Sequence, residues 1–234
     1  MSITQNVDEI RGRIADAARR SGRSPEEITL MAVSKTFPPE RIRDAYQVGL
    51  RVFGENRVQE FSGKAVSLAD LEDAEWHMIG HLQTNKAAKA VELFAAIDSV
   101  DSLRLAERLN GSAEQTGKKL GVLIEINVGG EAAKSGLSPE SPELEELLRA
   151  ATKFDHLEFR GLMTIPPFTD DPQKARPYFR KLRELRDRIL ARKLPNVGMK
   201  ILSMGMSHDF EIAIEEGSTC VRIGTAIFGE RIKS

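Results

Sequence analysis

The sequence predicts an α/β fold, a single-domain (β/α)8 barrel of the TIM type, on three observations. Its apolar pattern switches repeatedly between short buried runs and helical stripes, the alternation of a parallel sheet covered by helices. The short runs number about eight, the count that closes such a barrel. The 234 residues fit one barrel and are enough to bury a substantial core.

In chain order, the runs expected as strands are residues 28–34, 51–54, 76–80, 95–100, 122–128, 159–165, 201–204 and 220–223. Helical stripes lie between them. Pro39 stands at a first-turn position, with Ile42, Ala45 and Tyr46 on one face. Val58, Phe61, Ala65 and Leu68 follow, then Ala87, Ala88 and Val91, the 103–109 segment, and Leu144, Leu147 and Leu148. The longest stripe is Ala175, Tyr178, Phe179, Leu182, Leu185 and Ile189. Ahead of the first strand, Val7, Ile10, Ile14 and Ala17 mark an extra helix over about residues 5–20, expected to close the barrel floor. No composition shift flanks the polar loops 129–141 and 166–172, so residues 1–234 read as one domain. The basic stretch 180–193 carries Glu184 and Asp187 at helical spacing and reads as a solvated outer face.

Thirty-four basic against 35 acidic residues leave a formal charge of −1, so no global field gathers a nucleic acid or an anionic membrane. An anionic ligand must be held locally. The N-terminal stretch lacks a basic n-region and an apolar h-region, and no segment approaches the roughly 18 apolar residues of a membrane span. A cytoplasmic location is expected. The single Cys220 sits in a strand-like setting and reads as a core thiol.

Three positions carry chemistry. Lys35 ends an apolar strand just before Pro38 and Pro39, where a barrel strand points into the active mouth. Apolar neighbours there lower a lysine pKa and supply the neutral amine that attacks an aldehyde; the alternative is a snorkelling or ion-paired lysine. Arg222, Gly224 and Thr225 end the last strand, where barrels place a phosphate site, although a tight turn with a structural arginine fits equally. Ser203 and Ser207 flank Gly205 at the end of the seventh run, with Ser207 placed to cap the next helix and share the phosphate cradle. Strands one, seven and eight thus converge on one mouth. The 129–135 segment lacks both glycines of a P-loop, and His77 and His81 lie on a strand and turn without the neighbouring glutamate of a zinc helix. No metal site is expected.

Several segments resemble those of the pyridoxal phosphate homeostasis protein family, relatives of the N-terminal barrel of alanine racemase. They are Ala32-Val-Ser-Lys-Thr, Phe53-Gly-Glu-Asn, His77-Met-Ile-Gly-His-Leu-Gln-Thr-Asn-Lys, Leu202-Ser-Met-Gly-Met-Ser and Val221-Arg-Ile-Gly-Thr-Ala-Ile-Phe-Gly. Gly161-Leu-Met-Thr-Ile and residues 127–136 also fit, so the resemblance spans almost the whole chain. It implies a fold type III barrel with pyridoxal 5′-phosphate held as a Schiff base on Lys35. It places the phosphate near Ser207, Gly224 and Thr225, Arg222 at the pyridine nitrogen, and Asn56, Met163 and Met206 around the pocket. A guanidinium beside that nitrogen disfavours ring protonation and makes the ring a poorer electron sink. The racemase relatives carry a further β-domain that contributes an acid–base tyrosine, whereas Tyr46 and Tyr178 here lie on helical stripes.

The expected function is therefore vitamin B6 homeostasis, as a monomeric carrier or buffer of the cofactor without turnover, with pyridoxal-phosphate-dependent apoenzymes as possible recipients. The alternatives are an amino-acid racemase of the same cofactor class, with His81, His208 or Lys86 relaying a proton, and a lysine-dependent barrel aldolase.

Overall fold

The computed structural model describes residues 2–131 and 134–230. Ala132 and Ala133, inside the 127–136 segment singled out above, lie outside the described residues, as do Met1 and residues 231–234 of the expected domain.

Eight parallel strands close into a barrel in chain order. They are β1 (Thr29–Val33), β2 (Val52–Glu55), β3 (Glu75–Met78), β4 (Ala96–Val100), β5 (Leu120–Glu125), β6 (Leu157–Met163), β7 (Val197–Met206) and β8 (Cys220–Ile223). The helices after them are α2 (Pro39–Gln47), α3 (Val58–Ala65), α4 (Ala87–Leu93), α5 (Leu103–Gln115), α6 (Pro142–Ala151), α7 (Arg176–Ala191), α8 (Phe210–Glu215) and α9 (Thr225–Phe228), and α1 (Ile3–Arg20) precedes β1. The sheet closes where β1 pairs with β8, Thr29 opposite Cys220 and Met31 opposite Arg222.

Because side chains alternate along a strand, each strand feeds two environments. The faces toward the helices build the main core, with Phe53, Phe61, Phe94, Phe159, Phe179 and Phe210 fully buried. The lumen holds a second, much smaller apolar cluster of Met31, Val33, Ile79 and Cys220. Buried polar side chains share that interior: Asp98, Ser203, Glu125 and Arg222. A lumen this polar is built for more than packing.

The N-terminal helix does not close the floor. It buries Ile3, Val7, Ile10, Ile14, Ala17 and Ala18 in the outer ring, beside α8 and α9. Asn6 Nδ2 donates to Ile227 O (2.9 Å), Arg13 pairs with Glu211 (2.9 Å) and Arg20 with Glu215 (2.9 Å). The physical reason lies at the other end of the chain. The helix after β8 has only four residues, too few to cover the β8–β1 seam, and α1 takes the vacant place. Ser2 caps α1 in a capping box with Gln5. Ser2→Ala is expected to lower stability by about 1 kcal/mol, read as a shift of the urea midpoint at constant m-value.

β7 begins at Val197, four residues before the expected start. Its register to β6 shifts between the Phe159–Val197 and Gly161–Ile201 pairs, and Met199 takes φ 47°. This bulge resets the side-chain alternation and hides the strand's first half from a periodicity reading. Gly161 permits the crossing, since a Cβ there would lie 1.9 Å from Ile201 O. The basic face of α7 is also less solvated than expected: Arg176, Arg180 and Arg183 converge on the buried Glu216 at 3.1, 3.1 and 3.2 Å, joining α7 to the end of α8.

Candidate functional site

The C-terminal ends of β1, β2, β7 and β8 surround a cavity of about 290 Å3. Lys35, Asn56, Met206, Ser207, Arg222, Gly224 and Thr225 all line it. Met163 is fully buried on β6 and does not line it. Phe37, two residues after Lys35, stacks on Phe228 at 4.7 Å and ties the β1 loop to α9 along the cavity wall. Phe168 stands at the rim, 81 % exposed, with its ring centroid 5.9 Å from that of His208.

The rim that carries Lys35 is clamped from behind. Ser34 is fully buried; its N–H donates to Gly54 O (3.0 Å) and its Oγ to Glu55 Oε1 (2.7 Å). Lys64, on α3, donates to Glu55 (3.2 Å), to Glu60 (2.7 Å) and to Ser34 O (3.2 Å). Thr36 has φ 67°, a strained conformation for a β-branched residue, and its N–H donates to Glu60 Oε1 at 2.5 Å. Both neighbours of Lys35 are therefore held by one buried charged cluster, which limits how far the lysine's backbone can wander. Burial pushes the Glu55 carboxyl above the usual carboxylate range, against the pull of Lys64 and Ser34.

Arg222 rises from β8 inside the barrel, 3 % exposed. Its Nη1 donates to Ser203 Oγ (2.8 Å) and its Nη2 to Thr164 O (2.7 Å). Burial draws its pKa down, and Asp98, Glu125 and Asp209 answer its charge at longer range. Gly224 has an ordinary φ of −112° and opens the single turn of α9, so the first N–H groups of that turn lack partners within the helix. Ser207 does not cap α8. Asp209 occupies that position, and its Oδ1 accepts from Met206 N (2.7 Å), pinning the turn so that Ser207 lines the cavity instead.

Asn56 holds a buried Oδ1 without a hydrogen-bond partner in the described structure. Its backbone runs so close to β3 that a Cβ on Gly80 would meet Asn56 O at 2.4 Å. An acceptor buried in a lined cavity, beside a lysine, a guanidinium and two hydroxyls, fits a small anionic ligand with its own donor group. The remaining residues considered for proton relay divide. His208 lines the cavity, whereas His81 is paired with Asp101 (2.9 Å) and Lys86 lies in a 3-10 turn, and neither lines it. Tyr46 packs under Arg51 (4.0 Å) and Tyr178 against the main core.

Sequence reasoning missed Glu125. It lies in β5, 6 % exposed, with Oε2 unpartnered, and its carboxyl is pushed up to about 7 by burial and by Asp101, against Arg222 and His81. Glu125 does not line the cavity, and its signal in the sequence is an acid in the middle of the apolar run 122–128, where acids are rarely buried.

Known proteins share this architecture. The family described as alanine racemase, N-terminal domain, matches residues 5–232. The pyridoxal phosphate homeostasis protein of Aquifex aeolicus (strain VF5) is 48 % identical over 231 residues, covering 99 % of this chain and 99 % of that one. PipY of Synechococcus elongatus PCC7942, solved with PLP bound, superposes with a TM-score of 0.85 at 36 % identity, covering 97 % of this chain and 100 % of its own. Alanine racemase of Clostridium difficile 630 is similar in fold alone, with a TM-score of 0.70 at 16 % identity; the likeness covers 100 % of this chain and 58 % of the racemase.

Proposed function

The chain belongs to the pyridoxal phosphate homeostasis protein family, with the fold of the alanine racemase N-terminal domain, and from that premise we propose that it binds pyridoxal 5′-phosphate and serves vitamin B6 homeostasis. The relative PipY was solved with PLP bound, which supports this choice of ligand. One observation carries the reading furthest: Lys35, Arg222, Ser207, Gly224 and Thr225, from three different strand ends, line a single small cavity.

The bound cofactor supplies an aldehyde, with which a neutral lysine amine condenses to a Schiff base. In this reading Lys35 is that amine. Ser207, Thr225 and the first N–H groups of α9 take the phosphate. Arg222 faces the pyridine nitrogen, where its positive charge keeps the ring unprotonated. Asn56 and Met206 flank the ring, and Met163 contributes only through packing behind the wall. Residues 1–234 act as one domain, in the cytoplasm and as a monomer, and hand the cofactor to apoenzymes without turning it over. No helix among the described residues is long and apolar enough to cross a membrane.

Borohydride reduction of protein incubated with pyridoxal 5′-phosphate, followed by peptide mass mapping, tests the link. A phosphopyridoxyl group on Lys35 is the expected result, and its appearance only on other lysines would exclude this assignment. A racemase reading is favoured by one feature, His208 on the cavity wall. Chiral chromatography after incubation with L-amino acids separates the two, because sustained D-enantiomer formation that disappears in His208→Gln would replace the carrier function with catalysis.

A further inference from the structure

The cofactor mouth occupies one end of the lumen, and the other end is hollow too. Around the N-terminal ends of the strands, Thr29, Val52, Ala96 and Gly121 present short side chains and leave a cavity of about 460 Å3, larger than the one at the mouth. Barrels of this type are ordinarily filled by layers of side chains, so an unfilled floor calls for a reason.

The inner wall of this cavity is charged. Asp98 is 1 % exposed, and both its oxygens lie against His77 Nδ1 at 3.1 and 3.2 Å. With Nδ1 so engaged, Nε2 is the remaining donor. Glu75 Oε2 lies 3.9 Å from it, close enough for an ion pair but too far for a hydrogen bond. The apolar walls are Val52, Leu123 and Ile201. At the rim, Arg160 is paired with Glu158 (2.9 Å) and Glu27 with Arg23 (3.2 Å). Lys200 lines the same cavity and has no ion pair or hydrogen bond among the described residues. The acids of the floor thus have cationic neighbours, His77 serving both Asp98 and Glu75, while the Lys200 ammonium and the His77 Nε2–H are left without a hydrogen bond among the described residues.

We propose that the N-terminal end of the barrel is a second ligand site, which takes a small organic carboxylate with an apolar body. Lys200 and the His77 Nε2–H draw the carboxylate, and the body lies on Val52, Leu123 and Ile201. A carboxylate matches this donor set better than an amine, which would have to displace Arg23 or His77 from its acid.

The test is a titration of 15N-labelled protein with 4-phenylbutyrate, read at the amides of Thr29, Gly121 and Thr219. Saturable shifts with a Kd of roughly 1 mM or tighter are expected. The neutral analogue 4-phenylbutanamide should bind several-fold more weakly. Lys200→Gln should weaken the acid by about 2–5-fold, the scale of one exposed charge contact. Val52→Trp, which fills the hollow, should abolish the shifts. Lys200 is exposed and its replacement leaves the core intact, so that variant decides the matter even if Val52→Trp does not fold. Absence of saturation, shifts confined to Gly224 and Thr225, or equal affinity for acid and amide would each overturn the site. Because the readout lies at the opposite end of the barrel, failure of the cofactor reading leaves this result untouched.

Discussion

Lys64→Met is expected to lower the unfolding free energy by about 3–5 kcal/mol at pH 7, the penalty of leaving one half of a buried ion pair behind. The half left behind is Glu55, fully buried, with Ser34 Oγ as its other donor. Glu55 already titrates above the usual carboxylate range because burial outweighs its partners, and the variant removes Lys64, the largest influence that lowers it. A carboxyl whose folded pKa lies above its unfolded one binds its proton more tightly when folded, so stability is lost as pH rises. The deficit of Lys64→Met should therefore be smaller near pH 5 than near pH 8. Urea unfolding at both pH values checks this, and a loss below about 1 kcal/mol without pH dependence would reduce the cluster to an ordinary surface pair. The variant also frees Ser34 O and weakens the hold on Glu60, the acceptor for Thr36 N–H. Faster amide exchange at Thr36 should accompany the loss of stability, since the backbone on both sides of Lys35 depends on this cluster.

Wild-type stability is expected to fall by about 3 kcal/mol as pH rises from about 6.5 through about 9, with His77 as the source. Burial, the largest influence on the imidazole, disfavours its charge, but Asp98 and then Glu75 outweigh it and raise the pKa to about 9. A histidine with a raised folded pKa stabilises the fold fully below its unfolded pKa and loses that contribution as pH climbs past the folded value. The vulnerable window is therefore mildly alkaline, and acidification toward pH 6 leaves this pair intact. Asp98→Asn should flatten the profile across the same interval by removing the carboxylate that holds the proton. An NMR titration of the His77 ring gives the direct reading, and a midpoint near 6.5 would remove the basis for both statements.

Much of the architecture was legible without coordinates. The run at 220–223 matches β8 residue for residue, and that at 95–100 matches β4 to within one residue, because a strand buried on both faces reads as a short, mostly apolar and β-branched run even where a polar lumen residue such as Arg222 or Asp98 interrupts it. β7 was legible only in part, because the bulge around Met199 breaks the alternation that marks a strand. Periodicity predicts that α1 exists but not that it packs beside α8 and α9 rather than under the floor, because an amphipathic stripe states that a helix packs, not against what.

The candidate site divides in the same way. Lys35, Arg222 and Gly224 could be picked out one by one, as a lysine ending an apolar strand, an arginine inside one, and a glycine opening a turn. Their sharing of a cavity, the clamp of Glu55, Lys64 and Glu60, the role of Asp209 in place of Ser207, and the His77–Asp98 pair at the opposite end belong to the closed barrel alone. By itself the sequence determined the eightfold alternation of strand and helix and the strand ends where unusual residues stand, because both are local patterns of polarity. Only the tertiary structure decided which charged groups meet, since Lys64 lies 9 residues from Glu55 and 30 from Ser34 O behind the rim and His77 lies 21 from Asp98 at the floor, where register and closure, rather than spacing along the chain, bring them together.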